Sequence, residues 1–226
     1  MLAACGLNDR KNIAFVCRIW YNTVIGKQPY LFSGYCQKIA GGIENNRKGL
    51  SGMSSVISIA SISGGGKTTI VNALMNRLNN AAALCFDDYD FDEHIEYVSW
   101  LKNGADYNEW DLTPLKNDID KLMGQTEYIL LDYPFSYKNK SIAPYIDISV
   151  YIDTPLDVAL VRRILRDMPY APGDQIREYI LDYIKYERPL YQLMIDNIMP
   201  DSDIVVDGLL PVNDIADKII QAGGWR

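Results

Sequence analysis

The sequence predicts an α/β fold, a doubly wound and mainly parallel sheet of five strands with flanking helices. From residue 54 onward, short apolar runs alternate with amphipathic stretches of helical periodicity. The apolar runs are nearly continuous, which is typical of strands buried on both faces of a parallel sheet. The predicted strands are residues 55–61, 82–86, 128–133, 148–153 and 203–207.

Start signals for helices lie between these strands. Asp111 or Thr113 stands before Pro114, and Thr154 can cap a helix that has Pro155 at its first position. The carboxyl ends of parallel strands meet at one edge of the sheet, so a ligand is expected at that edge.

Composition and charge exclude several classes of protein. Apolar residues make up 48% of the 226 residues, which is typical of a globular chain. No apolar run approaches the roughly eighteen residues of a membrane span. The formal charge is −7, although residues 1–50 are basic, so the remainder is strongly acidic and unsuited to nucleic acid. The four cysteines lack zinc-site spacing and suggest no disulfide framework, which favours a cytoplasmic protein.

The basic N-terminal stretch ends in AGGIENNRKGLSGMSS, whose composition is typical of a linker. Met53 lies within it, directly before the first strand. We therefore expect a domain of residues 53–226 and an N-terminal extension, residues 1–52, of unknown role. The strand pattern is complete without this extension, so we expect it to be dispensable for folding.

The stretch SISGGGKTT, residues 61–69, follows the first strand and opens a helix. It fits the phosphate-binding pattern G-x-x-x-x-G-K-[ST], with Ser61 in place of the first glycine. Glycines let backbone N–H groups approach an anion, and the N-terminus of the helix adds further unpaired N–H groups. We predict a P-loop NTPase fold that binds ATP, with Lys67 also catalytic and Thr68 on Mg²⁺. The expected nucleotide contacts are Ser63, Gly64, Gly65, Gly66, Lys67, Thr68 and Thr69.

Acidic residues stand at the ends of two further strands. Asp87 and Asp88 follow the second strand, and Asp132 follows four apolar residues of the third. An acid in the latter position typically steadies Mg²⁺ or its water in nucleotide sites, which makes Asp132 a candidate metal ligand. The alternative is that Asp132 caps a turn before Pro134.

Three arginines lie on the helix that contains DVALVRRILRDM. Phosphoryl transfer requires cations over the transferring group, because charge spreads over its oxygens in the transition state. We predict that Arg162 and Arg163 bind the nucleotide and that Arg166 is catalytic. The alternative is surface salt bridging, for instance to Asp157 and Asp167.

Several segments together resemble the uridine kinase and phosphoribulokinase-like branch of the P-loop kinases. They are SISGGGKTT, FDDYDF, WDLTPLKNDIDKL, YIDTPLDVALVRRILRD and IKYERPLYQLMIDNIMPDSDIVVDG. The resemblance spans about residues 54–210 and implies that Asp87 is the base that accepts the proton of the substrate hydroxyl. Two departures are visible. Arg177 is the only arginine that follows in MPYAPGDQIREY, and Asp132-Tyr133 stands where the family usually has Glu-Gly.

The segment after the second strand indicates the charge of the acceptor. It carries no lysine or arginine, and it has six carboxylates, those of Asp87, Asp88, Asp90, Asp92, Glu93 and Glu96. This favours a neutral or cationic small molecule with free hydroxyls, and a nucleoside first, since Tyr89, Phe91 and Trp110 could stack on a flat ring. Asp88, Tyr89 and Trp110 are the predicted substrate contacts. Uridine and cytidine follow from the resemblance, and nicotinamide riboside is the alternative because FDDYDF also resembles that kinase's Asp-Asp-Phe.

Other nucleotide-binding classes fit less well. A GTPase typically carries Asn-Lys-x-Asp, and the nearest match, residues 139–142, lacks the aspartate. A transporter ATPase would need a signature such as Leu-Ser-Gly-Gly-Gln, which does not occur in the chain. A non-catalytic nucleotide binder that serves as a scaffold remains the alternative to an ATP-dependent kinase.

Overall fold

The computed structural model describes residues 54–89, 91 and 97–225. The N-terminal extension and most of the acidic run that follows Tyr89 lie outside the described residues. Five strands form one sheet, and all of its pairings are parallel. They are β1 (Ser55–Ala60), β2 (Ala81–Cys85), β3 (Tyr128–Asp132), β4 (Ile148–Asp153) and β5 (Ile204–Asp207). The predicted fold class is confirmed, and each strand lies within one residue of its predicted bounds.

Seven α-helices are found among the described residues. They are α1 (Lys67–Met75), α2 (Tyr97–Lys102), α3 (Thr113–Leu122), α4 (Leu156–Asp167), α5 (Gly173–Asp182), α6 (Arg188–Ile198) and α7 (Val212–Gly223). A π-helical turn, Tyr183–Glu187, joins α5 to α6. Such turns are rare and occur often at functional sites. None of the helices in the described part of the chain is long and apolar enough to span a bilayer.

The strand order β2-β3-β1-β4-β5 places β1 at the centre of the sheet. The chain runs from β1 to β2 and β3 on one side and then to β4 and β5 on the other. The loop that follows β1 therefore lies where the direction of winding reverses, which is the usual ligand position in such sheets.

Two apolar cores cover the two faces of the sheet. Neighbouring residues of a strand point to opposite faces, so Val56 and Ala60 belong to one core and Ile57 and Ile59 to the other. Buried residues of α3 and α6 complete the first core, and those of α1 and α7 complete the second. Both faces of β1 are thus buried, which explains why the strand is apolar throughout.

Candidate active site

The loop between β1 and α1 requires its glycines. Gly64 and Gly66 have φ angles of 78° and 107°, in the left-handed region that favours glycine. A Cβ on Gly64 would lie 2.4 Å from the carbonyl oxygen of Ala159, and one on Gly65 would lie 1.9 Å from the Ser61 hydroxyl. Side chains at either position would push the loop away from the strand and helix beneath it.

Ser61 occupies the place of the first glycine in the pattern and is fully buried. Its hydroxyl donates a hydrogen bond of 2.7 Å to the carbonyl oxygen of Ile152 on β4. The same hydroxyl lies under Gly65, as the close approach at that glycine shows. The serine therefore bonds the start of the loop to the neighbouring strand, a contact that glycine cannot make.

Thr154 was expected to cap helix α4, and this expectation is wrong. The residue before the helix is Pro155, and no side chain caps it. The buried Thr154 hydroxyl instead donates a hydrogen bond of 2.9 Å to the carbonyl oxygen of Gly65. Thr154 therefore holds the middle of the glycine loop.

Thr68 and Asp132 meet at the carboxyl edge of the sheet. The Thr68 hydroxyl donates to Oδ2 of Asp132 at 2.5 Å, across 64 residues of sequence. The neighbouring Lys67 ammonium donates to the carbonyl oxygen of Ser61 at 3.2 Å. The Asp132 side chain thus faces the start of α1, whereas the alternative interpretation assigned it to a turn before Pro134.

The carboxyl group of Asp132 is only 3% exposed. This burial raises its pKa above the ordinary value for aspartate, and nearby Asp87 adds to the rise. The positive charge of Lys67 and the hydrogen bond from Thr68 act in the opposite direction and do not cancel the effect. Lys67 and Asp87 therefore both lie close enough to affect the Asp132 carboxyl.

Asp87 and Asp88 lie in a 3₁₀ turn, Phe86–Asp88, directly after β2, and both are exposed. The half-buried Tyr89 follows them and donates a hydrogen bond of 2.9 Å to Asp118 on α3. Burial and then this hydrogen bond raise the pKa of Tyr89. Its ring is stacked on Phe91 at 5.1 Å. Asp118 was not singled out in the sequence, where it is one of several acidic residues on an amphipathic helix.

Trp110 is a core residue, contrary to the expectation that it contacts the substrate. It is 3% exposed, and its ring centroid lies 5.6 Å from that of Phe86 and 5.1 Å from that of Phe135. Trp100 packs edge-on against it at 6.3 Å. Phe91, which was also expected to stack on a substrate ring, is buried in the same core. The sequence could not separate these positions from a pocket wall, because both are aromatic and apolar.

The three arginines of α4 differ in their surroundings. Arg162 is exposed and donates to the carbonyl oxygen of Gly208 at 3.2 Å. The Arg166 side chain is 48% exposed and makes a bidentate contact with Asp167, at 2.6 and 2.9 Å. This contact was the alternative considered for Arg166.

Arg163 is 1% exposed and forms an ion pair of 2.5 Å with Glu187. The expectation that it binds the nucleotide directly is wrong in this structure, because the charge is buried and neutralised inside the protein. Glu187 was missed, since a single glutamate in YERPLY carries no pattern that would distinguish it.

Comparison with known proteins identifies the family. The family model described as "Phosphoribulokinase / Uridine kinase family" matches residues 87–216, which is more than half of the chain. The chain belongs to this family. The match begins at Asp87, in the turn after β2, so the phosphate-binding loop lies before it.

Two relatives named uridine kinase match over 180 residues, 67% of this chain and 86% of theirs. The protein from Staphylococcus carnosus (strain TM300) is 25% identical, and that from Staphylococcus aureus (strain JH9) is 27% identical. A solved structure of a putative fructose transport system kinase from Silicibacter sp. TM1040 is similar in fold, with a TM-score of 0.50 and 10% identity over 72% of this chain and 93% of that one. The resemblance drawn from the motifs is confirmed, and the family makes the chain a small-molecule kinase in class.

The residues of this family member fit a magnesium-bound nucleotide. The glycine loop accepts no side chains at Gly64 and Gly65, as close backbone approach to phosphate requires. Thr68 and Asp132 offer hard oxygen ligands side by side. Among residues 54–89, 91 and 97–225, no three His, Cys, Asp or Glu side chains cluster as a metal site. Mg²⁺ is usually held by one or two carboxylates together with substrate phosphates, and Asp132 offers one such carboxylate beside the loop.

Replacing Asp132 with asparagine is predicted to stabilise the metal-free protein. The variant Asp132→Asn keeps an oxygen for the Thr68 hydroxyl and removes the charge that burial disfavours. Since the pKa is raised in the folded state, the ionised carboxyl lowers stability above the unfolded-state pKa. Thermal unfolding at pH 7 in EDTA should therefore show a higher midpoint. The gain should disappear as the pH falls to about 3.9, where the unfolded-state carboxyl is also protonated.

The matched control is Asp88→Asn, which changes an exposed carboxyl in the same region and should leave the midpoint nearly unchanged. A lower midpoint for Asp132→Asn at pH 7 would show that the attraction of Lys67 outweighs burial, contrary to the direction of the shift.

Proposed function

We propose that the protein is an ATP-dependent phosphotransferase that phosphorylates a hydroxyl group of a small molecule, most readily a nucleoside. The observation that carries this proposal is the contact between Thr68 and Asp132 at the end of a glycine loop on the carboxyl edge of the sheet. The glycine loop is suited to cradle phosphates, and the oxygens of Thr68 and Asp132 are suited to bind Mg²⁺, as MgATP requires.

The roles of the site residues follow from their positions. Backbone N–H groups of residues 63–69 bind the phosphates, and Lys67 neutralises their charge as the transferred group moves. Thr68 and Asp132 would hold Mg²⁺, which would offset negative charge on the phosphates. Asp87 accepts the proton of the acceptor hydroxyl while the oxygen of that hydroxyl forms a bond to the γ-phosphorus. The bond from that phosphorus to the β–γ bridging oxygen breaks, and ADP leaves with the electron pair.

Arg162 and Arg166 supply further cations. The contact of Arg166 with Asp167 is half exposed, and exposed ion pairs contribute only about 0–1 kcal/mol. Arg166 can therefore exchange Asp167 for a phosphate oxygen at small cost. Arg163 cannot do so, because separating a buried pair leaves an uncompensated charge, at a cost of about 3–5 kcal/mol.

The acceptor is neutral or cationic in this proposal. Asp87 and Asp88 are exposed in the turn after β2, at the same edge of the parallel sheet as the phosphate loop, and would repel an acceptor phosphate. With Trp110 and Phe91 buried in the core, Tyr89 is the remaining aromatic candidate for contact with a flat ring. Uridine and cytidine come first because the family and the relatives are named for uridine kinase. Nicotinamide riboside is the cationic alternative.

A screen of acceptors tests this function directly. ADP release should be slow with MgATP alone and should rise strongly with uridine or cytidine, since closure around the acceptor excludes water. The panel should also contain nicotinamide riboside, pantothenate, glycerate and sugar phosphates. The best rate on a sugar phosphate would contradict the charge argument. ATP binding without turnover on any acceptor would favour the non-catalytic scaffold.

The assignment of the base is tested by two neighbouring variants. Asp87→Asn should bind both substrates but turn over about 10²- to 10⁴-fold more slowly, the usual contribution of a positioned base. Asp88→Asn, which makes the same chemical change one residue later, should retain most of the turnover number. If Asp88→Asn inactivates and Asp87→Asn does not, the base is Asp88.

The domain boundary is also a proposal. We expect a chain that begins at Met53 to unfold at the same temperature as the full chain and to keep its turnover number. The reason is that the described strands and both cores are formed by residues after Met53. A midpoint several degrees lower would instead show that residues 1–52 pack on the domain.

A further inference from the structure

Arg163 and Glu187 form a closed network of hydrogen bonds inside the protein. Nη1 of Arg163 donates to Oε2 of Glu187 at 2.5 Å and to the Tyr191 hydroxyl at 2.9 Å. The Tyr191 hydroxyl in turn donates to the same Glu187 oxygen at 3.3 Å. Both charged residues are almost fully buried. Burying an ion pair costs less when further hydrogen bonds reach its charged groups, and the Tyr191 hydroxyl makes one with each member of this pair.

Aromatic rings fix the position of the guanidinium group further. Its central carbon lies 5.5 Å from the ring centroid of Tyr179 and 5.5 Å from that of Tyr191. Both distances are within the range of cation–π attraction. Tyr179 comes from α5 and Tyr191 from α6, while Glu187 ends the π-helical turn between them. The head of Arg163 is thus held by side chains from one continuous helical stretch, which runs from α5 through the π-helical turn into α6.

The other end of the Arg163 side chain lies under the phosphate-binding loop. A Cβ on Gly64 would be 2.8 Å from Cγ of Arg163 and 2.4 Å from the carbonyl oxygen of Ala159. The backbone of Gly64, with its φ of 78°, therefore rests directly on the aliphatic stem of Arg163. One side chain therefore connects the α5–α6 helical stretch to the middle of the loop.

We propose that Arg163 is a positioning residue for the phosphate-binding loop. Glu187 and the tyrosines fix its head, and its stem supports Gly64, so the α5–α6 helical stretch sets where the loop presents its backbone N–H groups. This inference rests on the proposed function only in taking the loop as the nucleotide site. A contribution to folding stability alone does not explain why this ion pair is present, because apolar residues of similar volume can often replace a buried ion pair without loss of stability.

Three variants of the full chain separate the charge from the stem. Glu187→Leu leaves the charge of Arg163 buried without its counter-ion. Arg163→Met/Glu187→Leu removes both charges but keeps a Cγ atom under Gly64. Arg163→Ala/Glu187→Leu also removes both charges and has no atom at that position. The two double variants therefore form a matched pair that differs in the stem.

Hydrogen–deuterium exchange of the nucleotide-free protein measures loop position without requiring activity. The peptide that covers residues 61–69 should exchange faster in Glu187→Leu than in the original protein. Protection should return in the Met double variant. In the Ala double variant, exchange should be about tenfold faster than in the Met variant, because the open state of the loop is more populated.

A second control excludes a general loss of stability. Met194→Ala opens a cavity in the core on α6, a helix that also carries Tyr191. This variant should lower the thermal midpoint but leave exchange of residues 61–69 unchanged. Equal loop exchange in the Ala and Met double variants would overturn the proposal. Unchanged loop exchange in Glu187→Leu would overturn the role of Glu187.

Calorimetric titration with ADP gives the functional consequence. The Ala double variant should bind ADP about tenfold more weakly than the Met double variant, because misplaced groups lose contacts with the phosphates. Equal affinities would overturn the link between the stem and nucleotide binding. Absence of ADP binding in the original protein would instead contradict the proposed function, and loop exchange would still decide whether Arg163 positions the loop.

Discussion

The close approach of the glycine loop to the protein beneath it constrains most of the structure. Gly64 touches the carbonyl oxygen of Ala159 on α4, and Gly65 lies over the Ser61 hydroxyl. Hydrogen bonds from Ser61 to β4 and from Thr154 to Gly65 leave the loop little freedom on that side. Preorganised backbone N–H groups are effective because they need not reorganise when charge develops. In the proposed function, the residues beneath the loop would therefore aid catalysis by fixing the loop in place.

Asp132 shows the conflict between stability and function at this edge of the sheet. Its pKa is raised because burial disfavours the ionised carboxyl more than Lys67 and Thr68 favour it. A neutral residue would suit the metal-free fold better. In the proposed function, the carboxylate would bind Mg²⁺, and the ion would stabilise a charge that burial disfavours. Such a local cost is common where a site is built for a ligand.

The sequence was sufficient for the parts of the molecule that follow from periodicity and spacing. The five strands, the glycine loop and the strand-end acids Asp87 and Asp132 carry local patterns that do not depend on the rest of the fold. Thr154 was misassigned because Thr-Pro before a helix is a normal capping signal, and only the fold brings Gly65, 89 residues away, against its hydroxyl. Trp110 was misassigned because an aromatic ring in the core and one in a pocket wall have the same sequence signal.

The arginines of α4 also show that sequence alone does not reveal which side chains are buried. The burial of Arg163 reduces the number of cations that can act on the transferred phosphoryl group. A run such as RRILRD indicates positive charge, but helix geometry decides which side chains face inward. Arg163 faces the α5–α6 helical stretch and is neutralised by Glu187, while Arg162 and Arg166 stay at the surface. In the proposed mechanism, the charge of the transferring group must then be met by Lys67, Mg²⁺ and these two surface arginines. The third arginine contributes by holding the loop in place, so its effect on the transition state acts through the backbone N–H groups of the loop.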